Sequence, residues 1–180
     1  MHYIAKSESN FKLTILKETR KWDRVEDIEN IISDLKENRE KITSIELGNN
    51  SLSFDVSVVL SELINHLDTL KIVNYRDMFV GRLKEDLPKS LAELVKALLG
   101  KKIEYLDLSD NAFGPIGVQS FDFLLRCCPT IKELHIENNG LGPEGAEMVA
   151  QALLESNIQL ETLSISRNRL EDKGAICFAK

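Results

Sequence analysis

An α/β solenoid, curved into a horseshoe with parallel strands on its concave face and helices on its convex face, is the fold that the sequence predicts. Three observations lead there. An eleven-residue apolar pattern recurs in gap-free register along the chain. Helical patterns separate its copies. The copies recur at a nearly constant interval, the mark of a stacked array.

The pattern is clearest in three segments, 103–113, 131–141 and 160–170. Each reads apolar-x-x-apolar-x-apolar-x-x-Asn-x-apolar, the signature of a leucine-rich repeat. A fourth copy runs over 42–52 with Asn50 in the asparagine slot. A degenerate fifth uses Leu70, Val73 and Tyr75, with Met78 in the slot and Val80 after it. The slots fall at 50, 78, 111, 139 and 168, so successive copies lie 28, 33, 28 and 29 residues apart. The second copy is therefore lengthened by about five residues.

Helical spacing fills the intervals. Val56, Val59, Leu60, Leu63, Ile64 and Leu67 lie on one apolar helix face, as do Leu91, Leu94, Val95, Leu98 and Leu99. Pro88 stands near the start of the second helix, where a missing N–H costs nothing. Val118, Phe121, Leu124 and Leu125 repeat the pattern, followed by Ala146, Val149, Ala152 and Leu153. One unit cannot bury both its strand face and its helix face alone, so the units stack.

Residues 1–41 read as an N-terminal capping unit, and 42–180 as about five repeats, the last truncated. The cap has a strand over 11–16 and a charged helix near 23–39 carrying Val25, Ile28, Ile31, Ile32 and Leu35, with Trp22 as a packing residue. A further helix starts at Gly174 and stops at Lys180 with no polar capping repeat after it. The expectation is a fragment whose open end exposes apolar edges.

Composition narrows the function classes. A net charge of −6 argues against bulk nucleic-acid or anionic-membrane binding, which needs a positive footprint. No apolar run approaches the roughly 20 residues that span a bilayer. Cys127, Cys128 and Cys177 have neither zinc-ligand nor CxxC spacing and read as reduced thiols. His2, His66 and His135 lack metal-ligand neighbours. Gly81-Arg82-Leu83-Lys84 lacks the glycine spacing and ending of a phosphate-binding loop, and no GxSxG occurs. No cofactor or metal is expected, and the chain is not expected to be an enzyme in its own right.

Strand alternation then sorts surface from core. Leu106 and Leu108 point inward, while Asp107 and Ser109 face the concave surface. The outward row is Glu46, Asn74, Asp107, His135 and Ser164. Asn50, Asn111, Asn139 and Asn168 belong inside the turns, where their amides satisfy backbone groups leaving the ladder. Just before them stand Asn49, Asp77, Asp110, Asn138 and Arg167, on the loop-bearing rim where function concentrates. Asn138 is thus exposed where its neighbour Asn139 is buried.

At these loops the chain resembles a known family. Segments 108–115 (LSDNAFGP), 138–143 (NNGLGP) and 78–88 (MFVGRLKEDLP) look like the repeat loops of Ran GTPase-activating proteins. Segment 166–171 (SRNRLE) is similar to the following repeat of that family. The likeness runs in order from about residue 42 to 180, and the GRLKEDLP segment falls in the lengthened repeat.

The resemblance implies a horseshoe that binds Ran in its GTP form through rim and concave surface and stimulates hydrolysis without an arginine finger. A Ran-binding protein is implied as a third member of the complex. Asn138 matches the asparagine that helps position Ran's catalytic glutamine. Arg82 matches the essential arginine that supports the interface, and Lys84 a neighbouring basic residue implicated in Ran binding. Asp110 and Arg167 are further partner-binding candidates on the rim. A cytoplasmic location and a role in nucleocytoplasmic transport follow from the family alone. From the residues by themselves, Asn138 also reads as a turn asparagine and Arg82 as a solvated charge. Two rivals remain: a non-catalytic scaffold similar to ribonuclease inhibitor, whose acidic concave face takes a basic partner, and an inactive truncated product. Family members carry more repeats and usually an acidic C-terminal tail.

Overall fold

The computed structural model describes residues 2–6, 11–15, 21–79, 81–82 and 85–179. Strands β1 (His2–Lys6), β2 (Phe11–Ile15) and β3 (Lys21–Trp22) come first, then a 3-10 turn at Val25–Ile28 and helix α1 (Glu29–Asn38). Next stand β4 (Ile42–Glu46), β5 (Ser51–Leu52), α2 (Phe54–Asn65), β6 (Ile72–Asn74) and α3 (Leu87–Lys96). The rest is β7 (Tyr105–Asp107), α4 (Gly114–Val118), α5 (Asp122–Cys127), β8 (Glu133–His135), α6 (Gly142–Glu155), β9 (Thr162–Ser164) and α7 (Glu171–Cys177).

One sheet runs β1-β2-β4-β6-β7-β8-β9. From β2 onward every pairing is parallel, as crossover helices require, whereas β1 pairs antiparallel with β2. The repeat pattern and the parallel strand–helix alternation make this the leucine-rich-repeat solenoid expected from the sequence. The cross-strand row Glu46, Asn74, Asp107, His135, Ser164 lies in register, one residue per repeat. Strand β2 falls where the strand over 11–16 was expected, with Leu16 outside the described residues; β1 was not foreseen.

The core lies between the sheet and the helices. Ile45, Val73, Leu106 and Leu134 form its strand side; Leu60, Leu91, Leu94, Leu124 and Val149 form its helix side, all essentially inaccessible. Each such side chain contributes about 1.5–3 kcal/mol on leaving water. Trp22 is buried as a packing residue. Ser53 caps α2, its Oγ accepting from the Val56 N–H at 3.2 Å. At the other end Leu163 and Ile165 are half-buried and Ile176 is exposed.

Two helices differ from expectation. The apolar pattern over 118–125 forms two short helices, because the turn between them is pinned to the preceding repeat: Ser120 Oγ donates to the Pro88 carbonyl at 2.9 Å. Helix α7 begins at Glu171, three residues before Gly174. Gly174 and its counterpart Gly145 are stacking points. A Cβ on Gly145 would lie 3.2 Å from the Pro115 Cα, and one on Gly174 3.1 Å from the Pro143 Cα. A side chain at either position would push the neighbouring repeat back by a few tenths of an ångström.

Candidate functional site

The buried asparagines build the rim. Asn111 Nδ2 donates to the carbonyls of Leu108, Ser109 and Tyr75, at 2.8, 3.2 and 2.8 Å, and its Oδ1 accepts the Met78 N–H at 2.8 Å. Asn139 Oδ1 in turn accepts the Asn111 N–H at 2.8 Å, and Asn168 Oδ1 the Asn139 N–H at 2.7 Å. Each amide thus ties its own turn to the one before. Met78 breaks the series, and Asn50, left at its near end, has an Oδ1 with no hydrogen-bond partner among the described residues.

The residue before each slot turns the backbone. Asn49, Asp77, Asp110, Asn138 and Arg167 all have positive φ, from 51° to 61°. Asparagine and aspartate tolerate that conformation better than other non-glycine residues, so Asn138 is indeed a turn residue. Its side chain is exposed and its N–H donates to the Ser166 carbonyl at 3.0 Å. The turn explains the backbone; it leaves the amide group available.

Three of the sequence candidates come together here. Asn138 Nδ2 donates to Asp110 Oδ1 at 2.7 Å. Arg167 Nη2 lies 3.4 Å from the same oxygen and 3.7 Å from Glu137 Oε2. Arg76, which sequence reasoning missed, closes the cluster: its Nη2 is 2.5 Å from Asp110 Oδ2 and its Nη1 3.9 Å from Asp107 Oδ2. Glu137 was missed too; it accepts from the Ser164 hydroxyl. The signal for both lay at the position two before each slot, where charged Arg76 and Glu137 alternate with Gly48, Ser109 and Ser166.

The cluster's electrostatics follow from this crowding. Hydrogen bonds from the Ser164 and Ser166 hydroxyls hold the Glu137 carboxyl below its usual value, with Arg167 and Arg76 adding to the effect. Burial, then the neighbouring Asp110, pushes the Asp77 carboxyl up against the opposing pull of Arg76.

Two residues assigned to the concave surface are not open to it. Asp107 and Ser109 are buried. Asp107 Oδ1 accepts the Ser109 N–H at 2.8 Å, and Ser109 Oγ accepts the Glu137 N–H at 3.1 Å. Both side chains fold back to satisfy the turn, a use that strand alternation does not anticipate. His135 stacks on Tyr105, with ring centroids 5.0 Å apart.

Arg82 stands apart from the cluster. Its side chain is 16% exposed, and it donates to Asp23 Oδ1 at 2.6 Å, the Ser51 carbonyl at 2.8 Å and the Trp22 carbonyl at 3.1 Å. It is therefore not a freely solvated charge. The guanidinium clasps the N-terminal unit to β5, and pairing with it holds the Asp23 carboxyl below its usual value. Lys84 lies outside the described residues. Among the described residues no cluster of His, Cys, Asp and Glu is arranged to hold a metal ion, and no helix is long and apolar enough to cross a membrane.

Comparison with known proteins agrees with this architecture. The leucine-rich-repeat family model matches residues 101–121, 127–150 and 156–179, and the chain is a leucine-rich-repeat protein. Ran GTPase-activating protein 1 of Xenopus laevis is 33% identical over 94% of the chain, and the Drosophila melanogaster Ran GTPase-activating protein 34% identical over 86%. Ran GTPase-activating protein 1 of Saccharomyces cerevisiae is 28% identical over 99%. The chain is a homologue of the Ran GTPase-activating proteins. It spans 31%, 28% and 47% of the length of these three curated relatives.

Proposed function

We propose that the chain acts on Ran in its GTP-bound form and stimulates hydrolysis by presenting Asn138 to Ran's catalytic glutamine. The observation that carries this reading is an exposed rim amide held in a rigid turn, at the position matching the family's functional asparagine. A neutral carboxamide orients a partner's side chain without ionising, and ordering that glutamine removes orientational freedom before water attacks. The inward engagement of Arg82 supports a mechanism without an arginine finger. In this reading Arg82 keeps the N-terminal unit and the neighbouring loop in shape for binding, Asp110 and Arg167 belong to the Ran-facing rim, and Lys84 contributes to Ran binding as its family counterpart does. A Ran-binding protein joining the complex, a cytoplasmic setting and a part in nucleocytoplasmic transport extend the same proposal.

Glu46, Glu104 and Glu133 line one groove, with Lys132 among them and Glu104 paired to Lys71; the excess of carboxylates there favours a second reading, a scaffold for a basic partner. Single-turnover hydrolysis of GTP by Ran, with and without the chain, separates the two. Acceleration by a cooperatively folded sample supports the activator. A folded sample that binds Ran or a basic protein yet leaves the hydrolysis rate unchanged supports the scaffold.

A further inference from the structure

A carboxamide on an exposed side chain has a broad, two-fold torsional preference, so its oxygen and nitrogen exchange places at little cost. Such a group presents a donor and an acceptor by turns and orients nothing. Asn138 is different, because its Nδ2 is committed to Asp110 Oδ1 at 2.7 Å. An ionised carboxylate only accepts. Flipping the amide would set two oxygens against each other, so the Asn138 Oδ1 is the atom turned away from Asp110.

Asp110 is itself fixed. Its φ of 59° and the hydrogen bond from its N–H to the Glu137 carbonyl, 2.9 Å, place it at the rim. Its side chain is only 20% exposed, with Arg76 Nη2 on one oxygen at 2.5 Å and Arg167 Nη2 at 3.4 Å from the other. Arg76 also reaches buried Asp107, whose other oxygen holds the Ser109 N–H. The chain Asp107, Arg76, Asp110, Asn138 therefore links three successive repeats, and partial burial weakens its screening by salt.

We infer that Asp110, fixed by Arg76, is a positioning residue that holds the Asn138 amide with its carbonyl oxygen outward, as an oriented acceptor for a carboxamide N–H of the partner. This rests on the proposed Ran-activating function, gives Asp110 a second role in it and adds Arg76. Asp110 acts through Asn138 here, and Arg76 through Asp110.

Glycine fits the positive φ at both positions, so Asp110→Gly and Asn138→Gly remove side chains without straining the turn. In the free chain, the side-chain amide protons of Asn138 should move together in the nitrogen–proton correlation spectrum on Asp110→Gly, and partly so on Arg76→Met, with the spectrum otherwise that of the folded chain. In single-turnover hydrolysis by Ran at saturating chain, Asp110→Gly should lower the rate about tenfold, as losing a charge-assisted hydrogen bond does. The loss in rate should exceed any change in the half-saturating concentration, to which Asp110 contributes as one residue of the rim. Asp110→Asn, which keeps an acceptor oxygen, should recover part of the rate, and Asp110→Gly should cost nothing more in the Asn138→Gly background. Asn138 resonances unmoved by Asp110→Gly overturn the inference, as does an equal rate loss in both backgrounds. A wild-type chain that leaves Ran unaccelerated counts against the proposed function, while the spectrum still decides whether Asp110 fixes the amide.

Discussion

Asn138 and Asn139 are adjacent and chemically identical, yet one is exposed and the other sealed inside the turn. The repeat register distinguishes them, since it assigns the slot residue to the interior and its predecessor to the rim; that much was legible in the sequence. The buried class is tested by Asn111→Ala. It removes a donor from the Tyr75, Leu108 and Ser109 carbonyls and the acceptor of the Met78 N–H, while Asn139 Nδ2 still serves the Leu108 carbonyl and the Asp77 N–H the Ser109 carbonyl. Urea denaturation should show a loss of about 3 kcal/mol, from the buried Tyr75 carbonyl and Met78 N–H left unsatisfied together. Arg76, Glu137 and the buried Asp107 were not legible, because their roles arise between repeats. Alternation says which way a side chain starts out. It does not say that a charge one repeat away will draw it back. The crowding also has a pH signature. Asp77 has a raised folded pKa, so its ionised form is disfavoured by folding, and the penalty applies above that pKa and fades as pH falls. Asp77→Asn, which suits the φ of 52°, should therefore raise stability near neutral pH. The gain should vanish near pH 3, below the ordinary aspartate value of about 3.9. Urea midpoints at the two pH values check this. Glu137 has the opposite sign: its contribution is present above its ordinary value and is lost as pH falls through the lowered one.

The elements themselves were legible wherever a strand or helix is specified by its own apolar period, as in β4, β7, β8, α2 and α6. They were less so where contacts with a neighbour decide. The break between α4 and α5 is set by Ser120 bonding to Pro88 in the preceding repeat, and the close approaches at Gly145 and Gly174 exist only once repeats stack. Arg82 belongs to this scale. Its guanidinium reaches two backbone carbonyls and Asp23, joining β3, β5 and the lengthened loop. Arg82→Met should cost about 2–3 kcal/mol, the range for losing charge-assisted hydrogen bonds in a half-dry site. Hydrogen exchange locates the loss. The Ser53 N–H, bonded to the Trp22 carbonyl at 2.9 Å, should exchange faster. The Asn139 N–H, held by Asn168 at 2.7 Å, should keep its protection. Equal acceleration at both sites would show general destabilisation instead of a local clasp.

At the scale of the whole molecule, the solenoid turns a one-dimensional repeat into a row of equivalent rim positions, on which individual residues specialise. Asn49, Asp77, Asp110, Asn138 and Arg167 share one backbone geometry and differ only in side chain. Function is therefore read from departures within a row, and the scaffold from its constancy. Asn138 is the place where the row offers a neutral amide beside a fixed carboxylate. On the proposed function, this amide acts on the chemical step. Single-turnover hydrolysis of GTP by Ran, titrated with the wild-type chain and with Asn138→Gly, tests it most directly, because rate at saturation and half-saturating concentration report separate free energies. The saturated rate should be at least about tenfold lower for the variant, with half-saturation nearly unchanged. An unchanged saturated rate, with the loss entirely in half-saturation, would contradict it.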